Sequence, residues 1–166
     1  MDIRIRPETP ADIPAITDVT IAAFNTLDIS EHNEQHVITG LRKAGALSLS
    51  LVAEQDGRIV GHIAFSPVRI SDGTQDWYGL GPVSVLPELH RQGIGTALIE
   101  EGLSRLRAAG AKGCCLVGHP EYYPRFGFRN APGLVMQDVP PGVFFALSFD
   151  GHLPRGNVSF HPAFTL

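Results

Sequence analysis

Only two cysteines occur in these 166 residues, and they are neighbours, Cys114 and Cys115. Adjacent side chains on a strand point to opposite faces, so a disulfide between them would be strained. The apolar run Cys114-Cys115-Leu116-Val117 reads as buried strand, with both thiols acting as small hydrophobes in a reducing compartment. Without a bridge, stability has to come from a core, and 43% hydrophobic residues suffice for one. Basic residues are few as well: 13 Lys+Arg stand against 17 Asp+Glu, a formal net charge of -4. That balance lacks the basic stripe a phosphate backbone demands, which excludes nucleic acid as a partner. No stretch approaches the ~20 apolar residues of a membrane span. Met1-Asp2-Ile3-Arg4 has no apolar segment behind its charges, so no secretory leader is expected and the chain reads as cytoplasmic. Long linkers, low-complexity tracts and internal repeats are absent too. One domain over residues 1–166 is the expectation.

The elements follow from hydrophobic period and turn chemistry. Ile3 and Ile5 alternate with Arg4 and Arg6, which predicts a short edge strand. In Thr9-Pro10-Ala11-Asp12, Thr9 can cap a helix, Pro10 suits its first position and Asp12 stands where a capping-box acid belongs. Ile13, Ile16, Val19, Thr20 and Ala23 then share one face of a helix running to about Phe24. A second helix is expected over Glu31 to Ala44, capped by Ser30 and stopped by Gly45. Asp56-Gly57, between Leu49–Glu54 and Ile59–Phe65, signals a hairpin. Ser71-Asp72-Gly73 makes another turn before a long strand over Trp77 to Val85.

A helix over Gly93 to Ala109 turns Ile94, Leu98, Ile99, Leu103 and Leu106 inward, with Glu101 and Arg105 as an outer i,i+4 pair. Next come a buried strand over Gly113 to Val117 and a helical turn over Pro120 to Arg125. Strands are expected over Val143 to Phe149 and Val158 to Phe160. The order predicts a mixed α/β (α+β) domain on a mostly antiparallel sheet.

Chemistry concentrates in Val83-Ser84-Val85-Leu86-Pro87-Glu88-Leu89-His90-Arg91-Gln92-Gly93-Ile94-Gly95-Thr96. A strand ends, a short loop follows, and glycines open a long helix. Unpaired amides and the helix dipole make such a start an anion site, and glycines let a diphosphate approach the backbone. A Walker loop needs Gly-Lys-Ser/Thr, and this loop has no lysine. A Rossmann fingerprint needs a third glycine or alanine where Leu98 stands, and an acid on the next strand, which offers Cys115, Val117 and Gly118. Both nucleotide alternatives fail. A bare turn shaped by Gly93 and Gly95 is the plainer alternative.

His90-Arg91-Gln92-Gly93-Ile94-Gly95 resembles the coenzyme A motif of the GNAT superfamily, Arg/Gln-x-x-Gly-x-Gly/Ala, with His90 in place of the usual Arg or Gln. Tyr123-Pro124-Arg125-Phe126-Gly127-Phe128 resembles the family's Tyr-x-x-x-Gly-Phe signature, while its companion Asn is replaced within Gly118-His119-Pro120. The run from Gly118 to Phe128 and the closing Val158 to Phe164 are similar to a bacterial subgroup of acetyltransferases, so the likeness covers nearly the whole chain. It implies a V-shaped cleft between the strands at Gly81–Val85 and Gly113–Val117. It further implies core motifs within 49–128, C-terminal strands within 143–164, and acetyl-coenzyme A as cosubstrate with no metal.

By that likeness the pantetheine arm pairs along Val83, Ser84 and Val85, where an unpaired amide can polarise the thioester carbonyl. His90, Arg91, Gln92, Gly93, Ile94, Gly95 and Thr96 hold the diphosphate. A small-molecule or peptide amine enters from the opposite side, between the first two helices and the hairpin loops. Tyr123 is the implied acid for the departing sulfur, with an aromatic wedge as its plainer role; Tyr122 beside it reads as packing. His119 is the first candidate base, with Glu54, Glu88, Glu121 or a water chain as alternatives. Arg125 either meets a cofactor phosphate or caps its own turn. His32 and His36 stand at i,i+4, a half metal site or a solvated helix face. Trp77 and Phe144-Phe145 read as core, or as a homodimer interface. A coenzyme A-binding module without catalysis is the rival function.

Overall fold

The computed structural model describes residues 2–25 and 32–165. β1 (Arg4–Pro7) leads through a 3-10 turn at Pro10–Asp12 into α1 (Ile13–Phe24), and α2 (Glu34–Lys43) follows. Next come β2 (Leu49–Gln55), β3 (Arg58–Pro67), short β4 (Arg69–Ile70) and long β5 (Trp77–Val85). α3 (Ile94–Ala108) precedes β6 (Gly113–Val117), a 3-10 turn at Tyr123–Phe126, β7 (Leu134–Val135), β8 (Phe144–Ser148) and β9 (Gly156–Ser159).

The start of α1 is held by Asp12, whose carboxylate accepts from the Thr9 amide at 2.7 Å and from Arg6 at 2.7 and 3.0 Å. Arg6 also donates to Glu54 on β2 at 3.0 Å, so one guanidinium ties strand, helix entry and neighbouring strand together. α2 begins at Glu34 behind an Asn33 cap, later than its hydrophobic period predicts. The expected cap Ser30 and start Glu31 lie outside the described residues. His32 precedes the helix with φ of 58°, so it shares no helical face with His36 and the half-site reading fails. Among the described residues no group of three metal-binding side chains forms.

Six strands make the main sheet in the order β1-β2-β3-β5-β6-β8. Every neighbouring pair is antiparallel except β5 and β6. A parallel pair needs a crossover, and α3 supplies it. Beyond Ala109 the helix closes with Gly110 N–H on the Arg107 carbonyl and Ala111 N–H on that of Leu106, a Schellman pattern. Leu51, Ile63 and Phe65 of the sheet meet Leu98, Ile99 and Leu103 of α3 in the main core. On the other face Val52 meets Ile16 of α1 and Ile38 of α2.

β4, β9 and β7 form a second, three-stranded sheet. Two of its strands have two residues each, too few to carry a sequence period. Trp77 and Phe144 are packed with Ile70 and Val158 of that sheet, and Phe145 joins the main core. All three aromatics are 2% exposed, which makes them core residues of this chain.

Candidate functional site

The site forms where the two central strands part. β5 and β6 pair only at Trp77↔Gly113, Tyr78↔Cys114 and Gly79↔Cys115. Farther along, β5 stays with β3 through a register shift between Ile63 and Phe65, while β6 stays with β8. A V-shaped opening is left between Leu80–Val85 and the end of β6.

Strand alternation decides which backbone groups face it. Leu86 N–H donates to the Val60 carbonyl at 3.0 Å, which makes Val60 and Leu86 a hydrogen-bonded pair. His62 and Ser84 are then hydrogen-bonded as well, while Gly61/Val85 and Ile63/Val83 are the non-bonded pairs between them. Val83 and Val85 therefore turn their N–H and C=O groups away from β3, into the opening. The backbone of Ser84 is used inside the sheet.

The loop beyond β5 is pinned by His90, whose Nε2 lies 2.8 Å from the Val85 carbonyl. A carbonyl only accepts, so the ring donates there. The residue that departs from the family pattern thus holds the loop to the strand. Arg91 and Gly93 pass through left-handed backbone, with φ of 64° and 83°. Gly93 is the helix cap, and the first bond of α3 runs from Ala97 N–H to its carbonyl at 3.0 Å. The amides of Ile94, Gly95 and Thr96 consequently lack an intrahelical acceptor, and with the helix dipole they favour an anion.

A cavity of about 560 Å³ joins these parts. Val83 and Val85 line it from the strand, His90, Arg91, Gly93, Ile94, Gly95 and Thr96 from the loop and helix start. Ala23 and Phe24 close it from the end of α1, Tyr122 and Arg125 from beyond β6. Two of the sequence-predicted cofactor residues are not in its lining. The Ser84 side chain is buried at 1% exposure, and Gln92 stands exposed on the loop.

The two tyrosines divide differently from the sequence reading of Tyr122 as packing. Tyr122 lines the cavity, and its hydroxyl lies 2.9 Å from Thr96 Oγ1 at the start of α3. Arg125 sits over its ring at 4.5 Å and donates from Nε to the Tyr122 carbonyl at 2.9 Å. The guanidinium therefore braces its own turn while bordering the cavity. Tyr123 packs edge-on to Tyr122 and Phe128, with ring centroids at 5.0 and 6.1 Å. Burial, with Tyr122 beside it, pushes the Tyr123 phenol up to about 12, so it keeps its proton at neutral pH. No local spacing distinguishes the pair; only the path of the turn does.

The candidate bases are scattered. His119 is exposed in the turn after β6, where its carbonyl accepts from the amides of Tyr122 and Tyr123. Glu54 is committed to Arg6 at 2.9 Å. Glu88 is an exposed partner of Arg58 at 3.8 Å, and Glu121 is exposed.

Comparison with known proteins agrees with this geometry. Residues 4–131 match the family model described as an acetyltransferase (GNAT) domain. The chain is 35% identical over 128 residues to the uncharacterized N-acetyltransferase YhbS of Escherichia coli (strain K12), spanning 76% of this chain and 74% of that protein. A GNAT family acetyltransferase from Brucella melitensis, solved in complex with acetyl-CoA, matches with a TM-score of 0.88 at 48% identity over 98% of both chains. The structure of Escherichia coli YhbS in complex with CoA also gives 0.88, at 30% identity over 99% of this chain and 92% of that one. A match of this extent, on a strand that splays beside a glycine-opened helix, has one consequence: the chain belongs to the GNAT family of acetyltransferases.

Proposed function

We propose that this protein moves an acetyl group from acetyl-coenzyme A to a primary amine by direct attack. The observation that carries the reading is the unpaired edge of β5. Val83, and Val85 through its N–H, offer backbone groups that the sheet does not use, the Val85 carbonyl being taken by His90; they stand next to the first amides of α3 and in one cavity. A pantetheine arm carries amide groups that can pair with such an edge as an added strand would. The diphosphate suits the helix start. The ligands of the Brucella melitensis and Escherichia coli structures support the same cosubstrate here.

In this reading the amine nitrogen bonds to the thioester carbonyl carbon, and the carbon–sulfur bond breaks with its electron pair on sulfur. The amine sheds one proton and the sulfur gains one. A Val83 or Val85 amide stabilises the developing oxyanion. Tyr123 is the proposed acid toward sulfur, a phenol that burial keeps protonated. His119 is the base nominated by sequence, and His119→Ala tests it: a pH–rate profile superimposable on the wild type clears it of that role.

The test of the whole reading has two parts. Calorimetry should register coenzyme A binding to the wild type and a sharp loss in Gly95→Glu, which sets a carboxylate among the anion-binding amides, with the circular dichroism native. Thiol release from acetyl-coenzyme A is then screened across primary amines. Binding without release from any amine would leave a coenzyme A-binding module and end the enzyme reading.

A further inference from the structure

Arg125 borders the cofactor cavity with most of its hydrogen-bonding capacity unspent. A guanidinium donates from Nε and from both terminal nitrogens. Here Nε goes to the Tyr122 carbonyl at 2.9 Å, and the guanidinium carbon sits 4.5 Å from the centre of the Tyr122 ring. The terminal nitrogens are left over. Among the described residues no carboxylate pairs with them, whereas Arg6, Arg42, Arg58 and Arg105 each meet one. Tyr122 is itself held in place. Its ring packs edge-on to Tyr123 and Phe126 at 5.0 and 5.3 Å, and its hydroxyl meets Thr96 Oγ1 at 2.9 Å. Arg125 is exposed, yet it is tied to the backbone through Nε and to a ring through its face. A fork set in place this way loses little freedom on meeting an anion.

Position decides which anion that is. The first amides of α3 suit a diphosphate. Arg125 stands apart from them, with the Tyr122 phenol between the guanidinium and Thr96. Coenzyme A carries a further phosphate at a comparable remove, on the ribose 3′ oxygen, with the sugar between it and the diphosphate. That group is a monoester, which at pH 7 holds about −1.5 to −2 charge and three acceptor oxygens. A planar guanidinium matches two such oxygens at once. Arg91 also lines the cavity, but it belongs to the loop that enters α3 and so adds its charge at the helix start.

We propose that Arg125 grips the ribose 3′-phosphate and makes this protein select coenzyme A and its thioesters over their 3′-dephospho forms, an inference that rests on the acetyl-coenzyme A reading of the cavity. The brace and the grip use different atoms of one side chain: Nε holds the turn, and the terminal nitrogens hold the phosphate. The 3′-phosphate takes no part in breaking the thioester, so its contact is the same before and during transfer. Such uniform binding sets KM for acetyl-coenzyme A and leaves kcat alone.

The test is calorimetry on the full-length chain with coenzyme A and with 3′-dephospho-coenzyme A. A charge-assisted pair of hydrogen bonds predicts that the wild type binds coenzyme A roughly 10- to 100-fold more tightly. Arg125→Ala should bring that ratio close to one. Loss of the brace weakens both ligands alike, so the ratio isolates the phosphate contact. Arg91→Ala should weaken both ligands and keep the ratio. A wild-type ratio of one, a ratio unchanged in Arg125→Ala, or a ratio that collapses in Arg91→Ala instead overturns the assignment. Should Arg125→Ala lose its native circular dichroism, Arg125→Gln, which retains most of the stem, decides by the same ratio. Coenzyme A binding with equal affinity for the dephospho form ends only this inference. No binding of either ligand by the wild type ends the acetyl-coenzyme A reading and the inference with it.

Discussion

Gly118→Ala probes the chemistry without replacing a reacting group. Gly118 follows β6 with backbone dihedrals open to any residue, so the cost of alanine is steric alone. An added Cβ would stand 2.3 Å from Tyr123 Cε2, 2.7 Å from Cδ2 and 3.0 Å from Leu116 Cδ1. Real carbons do not approach so closely, so the Tyr123 ring or the strand end has to move. The ring cannot slide freely, since Tyr122, Phe126, Phe128 and Phe145 surround it at centroid distances of 5.0 to 6.5 Å. Overpacking of this kind costs ~1–3 kcal/mol. For a chain of this size each kcal/mol lowers Tm by ~2–4 °C, so a fall of about 2–12 °C is expected.

Turnover separates a wedge from an acid. The three atoms nearest the added carbon belong to Tyr123 and Leu116, not to the helix start that would hold the diphosphate, so the coenzyme A Kd should stay constant. A displaced phenol should cost kcat by roughly 10²-fold, the lower range for lost acid catalysis, because a thiol of pKa ~8.5 can also leave unprotonated. Tyr123→Phe removes the hydroxyl and keeps the ring, so it should lose kcat alike while Tm stays near the wild type. The double variant should lose no more than either alone, the signature of two changes acting on one group. Wild-type kcat in Gly118→Ala, measured after a confirmed fall in Tm, would refute Tyr123 as the acid. Wild-type Tm and kcat together would show that the ring is not pinned at all.

Tyr122→Phe should weaken coenzyme A binding about 2- to 10-fold by calorimetry and leave kcat nearly unchanged. It removes a hydrogen bond to Thr96 worth ~0.5–1.5 kcal/mol at the helix start. Gly93→Ala should cost ~1 kcal/mol in chemical denaturation, because an L-residue would adopt φ of 83° there, although nothing lies within 4 Å of the added carbon. Stability should also fall as pH drops from about 6.5 toward 4. In that window the unfolded chain protonates His62 while the native state, with its pKa pushed down to about 4, refuses the proton. The full difference is worth about 3 kcal/mol, and His62→Gln should flatten the fall in Tm between pH 6.5 and 4.5.

What the sequence discloses depends on whether a residue acts on its own neighbourhood. Gly93 and Gly95 are legible because they shape the backbone where they stand; the strand and helix beside them have strong periods. Asp56-Gly57 and the inward stripe of α3 are read for the same reason, and the mostly antiparallel sheet follows from them. β4 and β7 are too short to show a period, and α2 starts only at Glu34, inside the stretch whose hydrophobic spacing predicts helix. His90 matches its motif poorly as a side chain, yet its bond to Val85 keeps the loop where the motif needs it. Tyr122 and Tyr123 are adjacent, and only the turn tells which ring borders the cavity. Glu8, Ser50, His62 and Ser84 carry no mutual spacing at all. They are aligned by the strand order β1-β2-β3-β5 and by alternation, which turns the Val83 and Val85 backbone toward the opening and leaves Ser84 paired with His62. The anion site proposed for this chain is thus a local property of one loop, whereas the buried hydrogen bonds that join Glu8, Ser50 and His62 exist only once separate segments have been brought side by side.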